Sequence, residues 1–167
     1  AAGGARAAVP VYTTEGGWLQ LPVDALVAQT VEAKAQGFRG AKLKVGKPHL
    51  AEDVARLAAV REAVGGAFEI MVDANQCFSV SEAIRRAFEP FGLAWLEEPL
   101  PAEDLGGHVE LAAHTAIPLA VGESLYHPAH FREYLARRAC SIVQVDCARI
   151  GGITPWLKVA HLAEAFN

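Results

Sequence analysis

Short apolar runs recur along the chain at VPVYT (9–13), AKLKV (41–45), EIMVDAN (69–75), AWLEEP (94–99), PLAVGES (118–124) and SIVQVDCAR (141–149). The stretches between them carry apolar residues at helical spacing. Asp24 opens one that bears Val27, Val31 and Lys34 and stops at Gly37. In the next, Leu50, Val54, Leu57 and Val64 form a stripe closed by Gly65 and Gly66. A third begins at Ser81, carries Ile84 and Phe88 and ends at Pro90. Further helices fit 103–114, 128–138 and 154–166, with Pro128 and Pro155 suited to first-turn positions. Strand and helix alternate six times, which predicts a parallel sheet joined by right-handed crossovers. No low-complexity linker interrupts the alternation, so 1–167 reads as one domain.

Two parallel architectures are open to such a chain. A doubly wound sheet places a Gly-rich phosphate loop after its first strand, but TTEGGWLQLP matches neither the dinucleotide fingerprint nor a P-loop. A (β/α)8 barrel spreads functional side chains over the C-terminal ends of several strands. The strand ends here are charged, which selects the barrel.

Side chains alternate across a strand, so Lys42 and Lys44 share one face of AKLKV, and Leu43 and Val45 share the other. By the same count Asp73 and Asn75 lie opposite Val72 and Ala74. Glu97 lies on the face of Trp95, with Glu98 on the other. Gln144 and Asp146 lie opposite Val143 and Val145, and Glu123 closes its run. The steps from Lys44 to Asp73, Glu97, Glu123 and Asp146 are 29, 24, 26 and 23 residues, about one βα unit each. Unpaired ions in a barrel interior cost several kcal/mol apiece. Three carboxylates on adjacent strands therefore call for a shared counter-charge. A hard divalent cation supplies it, and the oxygen-only set Asp73, Glu97 and Glu123 suits Mg²⁺. No His or Cys stands at those positions, which argues against zinc. The alternative is that these carboxylates cap the following helices or pair with cations such as Arg39 and Arg149.

Composition narrows the class further. The chain has 167 residues, 52% apolar and 20% charged, a net charge of −4 and a sequence pI near 5.9, which excludes disorder and a basic nucleic-acid surface. No apolar run is long enough to span a bilayer, and AAGGARAAVP lacks the apolar segment of a signal peptide. Cys77, Cys140 and Cys147 are odd in number and lack CxxC spacing, so they read as free thiols of a reducing compartment. The expectation is a cytoplasmic protein with no membrane or nucleic-acid partner.

KLK at 42–44, VDAN at 72–75, LEEP at 96–99, GES at 122–124 and VDCARIGGIT at 145–154 together resemble the enolase superfamily, in its mandelate racemase branch. The resemblance implies a Mg²⁺ cofactor held by Asp73, Glu97 and Glu123. It implies Lys44 as the base that removes the proton α to a substrate carboxylate, and Lys42 as its cationic neighbour. Asp146 would orient a histidine on the next strand, and Thr14 and Asn75 would meet the substrate. Lys44 must be neutral to act, and burial beside a like charge is expected to favour that form. The implied partner is a small-molecule carboxylate, and the intact protein is expected to be a homo-oligomer. Dehydration of an acid sugar is the preferred outcome. Racemisation of a 2-hydroxy acid on the same scaffold, Schiff-base chemistry at either lysine, and an inactive metal-binding fragment are the alternatives.

The resemblance is incomplete. After Asp146 the sequence holds one histidine, His161, which falls in the last helix and reads as a surface or packing residue. At 102 residues from Lys44 to Asp146 over four units, eight units need about 204 residues, so six units read as an unfinished barrel without the capping domain of that family. Such a chain is expected to be inactive. Among lesser signals, His127 and His130 read as surface histidines, the pair Gly151 and Gly152 as a tight strand-to-helix turn, Cys147 as a packing residue and Trp95 as barrel core. Arg149 is left to meet an anionic substrate or an active-site carboxylate.

Overall fold

The period-two runs become strands because each has helices on which to bury its apolar half. In the computed structural model, which describes residues 4, 7–86 and 88–166, the strands are β1 (Tyr12–Thr13), β2 (Gly40–Lys44), β3 (Glu69–Asp73), β4 (Trp95–Glu97), β5 (Leu119–Val121) and β6 (Ile142–Val143). They pair in parallel and in chain order, β1 to β6. That sequential order is the order of a (β/α)8 barrel, of which six units are present. The helices are α1 (Val23–Ala35), α2 (Leu50–Val64), α3 (Val80–Arg85), α4 (Leu105–His114), α5 (Pro128–Ala136) and α6 (Ile153–Glu164). Among the described residues no helix is long and apolar enough to cross a membrane.

Leu43, Val45, Ile70, Val72, Leu96 and Leu119 join Leu26, Leu57, Val60 and Val64 in the main core. A second cluster lies under α5 and α6, around Val121, Phe131, Tyr134 and Val159. Two helices depart from the expected pattern. In α1 the buried positions are Leu26, Thr30 and Ala33, while Val31 is exposed. Thr30 can turn inward because its hydroxyl donates to the Leu26 carbonyl at 2.8 Å. The third helix starts earlier than expected, since Ser79 and Glu82 form a capping box. It stops at Arg85, and Pro90 sits instead in a 3-10 turn, Glu89–Phe91. Residue 87, inside the expected helix, lies outside the described residues, as do most of the first six.

Charged residues unexpectedly occupy the inner side of α2. Asp53 is fully buried and accepts the backbone N–H groups of Gly46 and Lys47, at 2.9 and 3.1 Å. Its other partner is Arg86 at 2.5 Å, whose guanidinium also donates to the Lys47 carbonyl and lies 4.3 Å from the Phe78 ring centroid. Burial raises the Asp53 carboxyl above its ordinary value, against the opposing pull of those N–H groups and of Arg86 and Arg56. Buried ion pairs commonly return no more than their desolvation takes, yet removing one partner strands the other. Asp53→Ala is expected to cost about 3–5 kcal/mol in urea unfolding. Replacing Arg86 by Met as well should recover part of that loss.

His108 of α4 is also fully buried, with Nδ1 2.8 Å from the Asp104 carbonyl and 3.1 Å from the Tyr134 hydroxyl, which itself donates to the Ala102 carbonyl. Burial lowers the His108 pKa, and Asp104 only partly opposes this. An unfolded histidine titrates near 6.5. The stability of neutral His108 is therefore present above that pH and lost as pH falls through the lower folded value. Thermal melts between pH 7.5 and 5 should show this decline, and His108→Leu should flatten it.

Candidate active site

Parallel register brings the expected residues of the first strands into one row. Lys44 is the partner of Asp73, Asp73 of Glu97, and Glu97 of Ala120. Lys42 sits one inward step below Lys44 and reaches across β3. Its Nζ lies 2.6 Å from Glu97 Oε1 and 3.3 Å from Asp73 Oδ2. Lys44 Nζ donates to the same Asp73 Oδ2 at 2.6 Å. Two ammonium groups thus face two carboxylates that are almost wholly buried, Asp73 at 1% and Glu97 at 2% exposure.

The remaining carboxylate oxygens are also held. Asp73 Oδ1 accepts the Asn75 N–H at 2.9 Å, while Glu97 Oε2 accepts Gln144 Nε2 at 2.8 Å and the Trp95 indole N–H at 3.2 Å. Burial pulls the Lys42 ammonium down, but its hydrogen bond to Glu97 and the charges of Glu97 and Asp73 outweigh this and hold its pKa above the ordinary value. Lys42 is a fixed positive charge.

The other expected residues are placed less uniformly. Glu123 does not join Asp73 and Glu97. Its Oε1 lies 3.1 Å from Arg149 Nη2, and its carbonyl takes Arg149 Nη1 at 3.1 Å. Gly122, with φ +145°, redirects the chain after β5. Asp146 Oδ1 accepts the Arg149 N–H at 2.8 Å and lines a cavity of about 590 Å³ with Tyr12, Lys42, Glu97, Glu123 and Gln144. Thr14 is exposed beyond β1 and is not among that cavity's lining residues. Trp95 is half-buried, edge-on to Tyr12 at 5.2 Å, so it borders the site rather than filling the core. Cys147 is exposed, not packed. His161, His127 and His130 are exposed, and His127 Nδ1 caps α5 through the Ala129 N–H. Gln144, whose face the alternation gives but whose task it does not, supports Glu97.

Among the described residues no three Asp, Glu, His or Cys side chains already stand close enough to hold a metal ion. The donor set nevertheless fits a hard divalent cation. The Lys42 ammonium, bridging Asp73 and Glu97, marks a position where positive charge is stabilised. Gln144 Oε1, beside Glu97, is a buried acceptor with no partner. Glu123 could complete an oxygen set on release from Arg149.

The sequential parallel sheet, with a charged row at its C-terminal edge, defines the class as part of a (β/α) barrel. The family model described as enolase C-terminal domain-like matches residues 25–167, and the chain belongs to that family. It is 45% identical over 163 residues to the L-talarate/galactarate dehydratase of Salmonella typhimurium, covering 96% of this chain and 41% of that protein. It is 43% identical over 168 residues to the 3,6-anhydro-alpha-L-galactonate cycloisomerase of Streptomyces coelicolor, covering 99% and 46%. The crystal structure of L-talarate dehydratase from Polaromonas sp. JS666 complexed with Mg and L-glucarate superposes with a TM-score of 0.92 at 45% identity, over 96% of this chain and 46% of that one. The chain spans less than half the length of these relatives.

Removing the Lys42 charge takes from buried Glu97 its ammonium partner and leaves Asp73 with Lys44. Lys42→Met should lower stability by about 2–4 kcal/mol, and added Mg²⁺ should raise the melting temperature of this variant more than that of the wild type.

Proposed function

We propose that this chain carries the metal and base side of an enzyme that removes the proton α to the carboxylate of a small acid sugar, as the first half of a dehydration. The observation that supports it most directly is the row Lys44, Asp73 and Glu97, with the ammonium of Lys42 between the two carboxylates. The talarate/galactarate dehydratase likeness supports the acid-sugar part of the reading.

In this reading Asp73, Glu97 and Glu123 hold Mg²⁺. A cation held there would supply positive charge to offset the negative charge that develops on the substrate carboxylate as the α-proton leaves. Lys44, at the outer end of β2, acts in this reading as the neutral amine: its Nζ lone pair takes the α-proton, and the C–H electron pair passes onto the substrate carboxylate to give the enediolate. Lys42, kept protonated by its two carboxylates, adds a fixed positive potential. Gln144 and Trp95 hold Glu97 through Oε2, and Lys42 holds it through Oε1. Release of Glu123 requires Arg149 to give up a half-exposed ion pair, a contact of about 0–1 kcal/mol. Return of a proton, to the opposite face or to a departing β-hydroxyl, belongs by resemblance to a histidine oriented by Asp146. Asp146 here bonds the Arg149 amide.

Exchange of the α-proton with solvent deuterium needs the base and the cation alone, so it tests this half of the reaction directly. Galactarate in D₂O with Mg²⁺, followed by NMR, should exchange with the wild type. Lys44→Ala should slow the exchange by about 10²-fold or more. Exchange by Lys44→Ala at the wild-type rate would exclude Lys44 as the base. Calorimetric titration should show weaker Mg²⁺ binding in Asp73→Asn, Glu97→Gln and Glu123→Gln, and unchanged binding in all three would exclude the ligand assignment.

A further inference from the structure

Lys42 and Lys44 share a strand face but open into different spaces. Lys42 lines the cavity with Glu97 and Asp146, whereas Lys44 lines a separate cleft of about 420 Å³ together with Trp18, Gln20, Gly46, Asn75 and Cys77. One wall of this cleft is the loop after β1, and the other is formed by the turns after β2 and β3.

Both walls are anchored by buried charge. Arg56 of α2, only 4% exposed, donates to the carbonyls of Leu21 at 2.6 Å and Trp18 at 3.1 Å. The Leu21 N–H closes a turn on the Trp18 carbonyl at 3.2 Å. The same loop is pressed onto β2, where Gly17 accepts the Lys44 N–H at 2.7 Å, and a Cβ at Gly17 would stand 2.0 Å from the Lys42 carbonyl oxygen. On the far side, Asp53 fixes Gly46 and Lys47. A Cβ at Gly46, where φ is +119°, would approach Cys77 Sγ to 2.6 Å. A buried guanidinium committed to two loop carbonyls is a costly way to hold a surface turn. It is explained if the position of that turn matters.

The groups the walls present have a common chemistry. Trp18 keeps 48% of its surface exposed. Among the described residues its indole N–H and the side-chain amides of Gln20 and Asn75 have no hydrogen-bond partner, although each lines the cleft beside Lys44. A flat aromatic face with two free amides matches a chain of hydroxylated carbons, whose C–H edges lie on the ring while the hydroxyls pair with the amides. The volume is in the range of small-ligand sites.

We propose that this cleft is the subsite for the polyhydroxyl tail of the acid, with Trp18 as its platform and Gln20 and Asn75 as its hydroxyl partners. The assignment rests on the reaction proposed above, because Lys44 at its floor sets which carbon lies there. It makes Trp18 and Gln20 specificity-determining residues that discriminate long acids from short ones.

Three probes test it with the chain in Mg²⁺: galactarate, glycolate as an acid without the tail, and galactitol as a tail without a carboxylate. Affinities are read from NMR line broadening. Galactarate should bind more tightly than glycolate, and Trp18→Ala and Gln20→Ala should each weaken galactarate about tenfold while leaving glycolate unchanged. Trp18→Phe, which keeps a ring, should retain most of the affinity and confirms that an exposed position is being altered without loss of fold. Galactarate affinity unchanged in both alanine variants, or equal losses for both acids, would overturn the subsite. Glycolate binding that survives Asp73→Asn would instead overturn the metal reading. If neither acid binds the wild type, the subsite is decided by galactitol, whose broadening must disappear in Trp18→Ala.

Discussion

Four charges in a nearly dry strand row constrain this structure more than any other feature. Lys42, Lys44, Asp73 and Glu97 come from three adjacent strands, and the parallel register admits them only as a set. Any one alone would carry the several-kcal/mol penalty of a buried ion, and as a set they balance two positive against two negative charges. Alternation then puts Leu43, Val45, Val72 and Leu96 on the opposite face. This obliges α1 to α3 to cover that face, so the hydrophobic core follows from where the charges point. A one-residue slip of β3 against β2 would send Asp73 into that core and take from Lys44 the carboxylate it pairs with. The ion set therefore specifies register as well as chemistry.

α2 distributes a second set of charges between the two ends of the sheet. Its first turns carry Asp53 and Arg56, which secure the loops after β2 and β1 on the side where the strands end. Its last turn carries Arg61, which donates to the carbonyls of Phe91, Gly65, Phe68 and Gly92 at the opposite end. Loop carbonyls pulled out of water need donors, and an arginine can satisfy several at once. At the strand N-terminal end this work is structural. At the strand C-terminal end it places Gly46, Lys47 and the turn at Trp18 around Lys44. That division matches the way barrels separate stability from function.

Much of this was legible in the sequence, because period-two alternation with charged strand ends has few other physical meanings. The faces of Lys42, Lys44, Asp73, Glu97 and Gln144 follow from counting, since their strands are regular up to those residues. Counting loses its meaning where the backbone turns. Gly122 breaks the alternation before Glu123, and an arginine that no local pattern connects with that residue then captures it. β1 ends at Thr13, so Thr14 falls on an exposed turn. The burial of Asp53, Arg56 and His108 was hidden for another reason. Charged and polar residues are outside by default, and only tertiary partners thirty or so residues away reveal that these are satisfied inside.

The two lysines of one strand show how position alone separates roles. Lys42 is hemmed by two carboxylates with 10% of its side chain exposed, and both partners favour its charged form. Lys44 meets one carboxylate, Asp73, with 23% exposed, and its strand ends there. Asp73 is common to both, so a cation that engaged Asp73 would compete with Lys44 for its only carboxylate among the described residues while leaving Lys42 its shorter bond to Glu97. The same event would weaken the electrostatic hold on the lysine at the cleft and keep it on the lysine behind. A pair of identical side chains two residues apart is thereby divided into one gripped by two carboxylates and one held by a single carboxylate at the edge of a cleft, and the division arises from strand register.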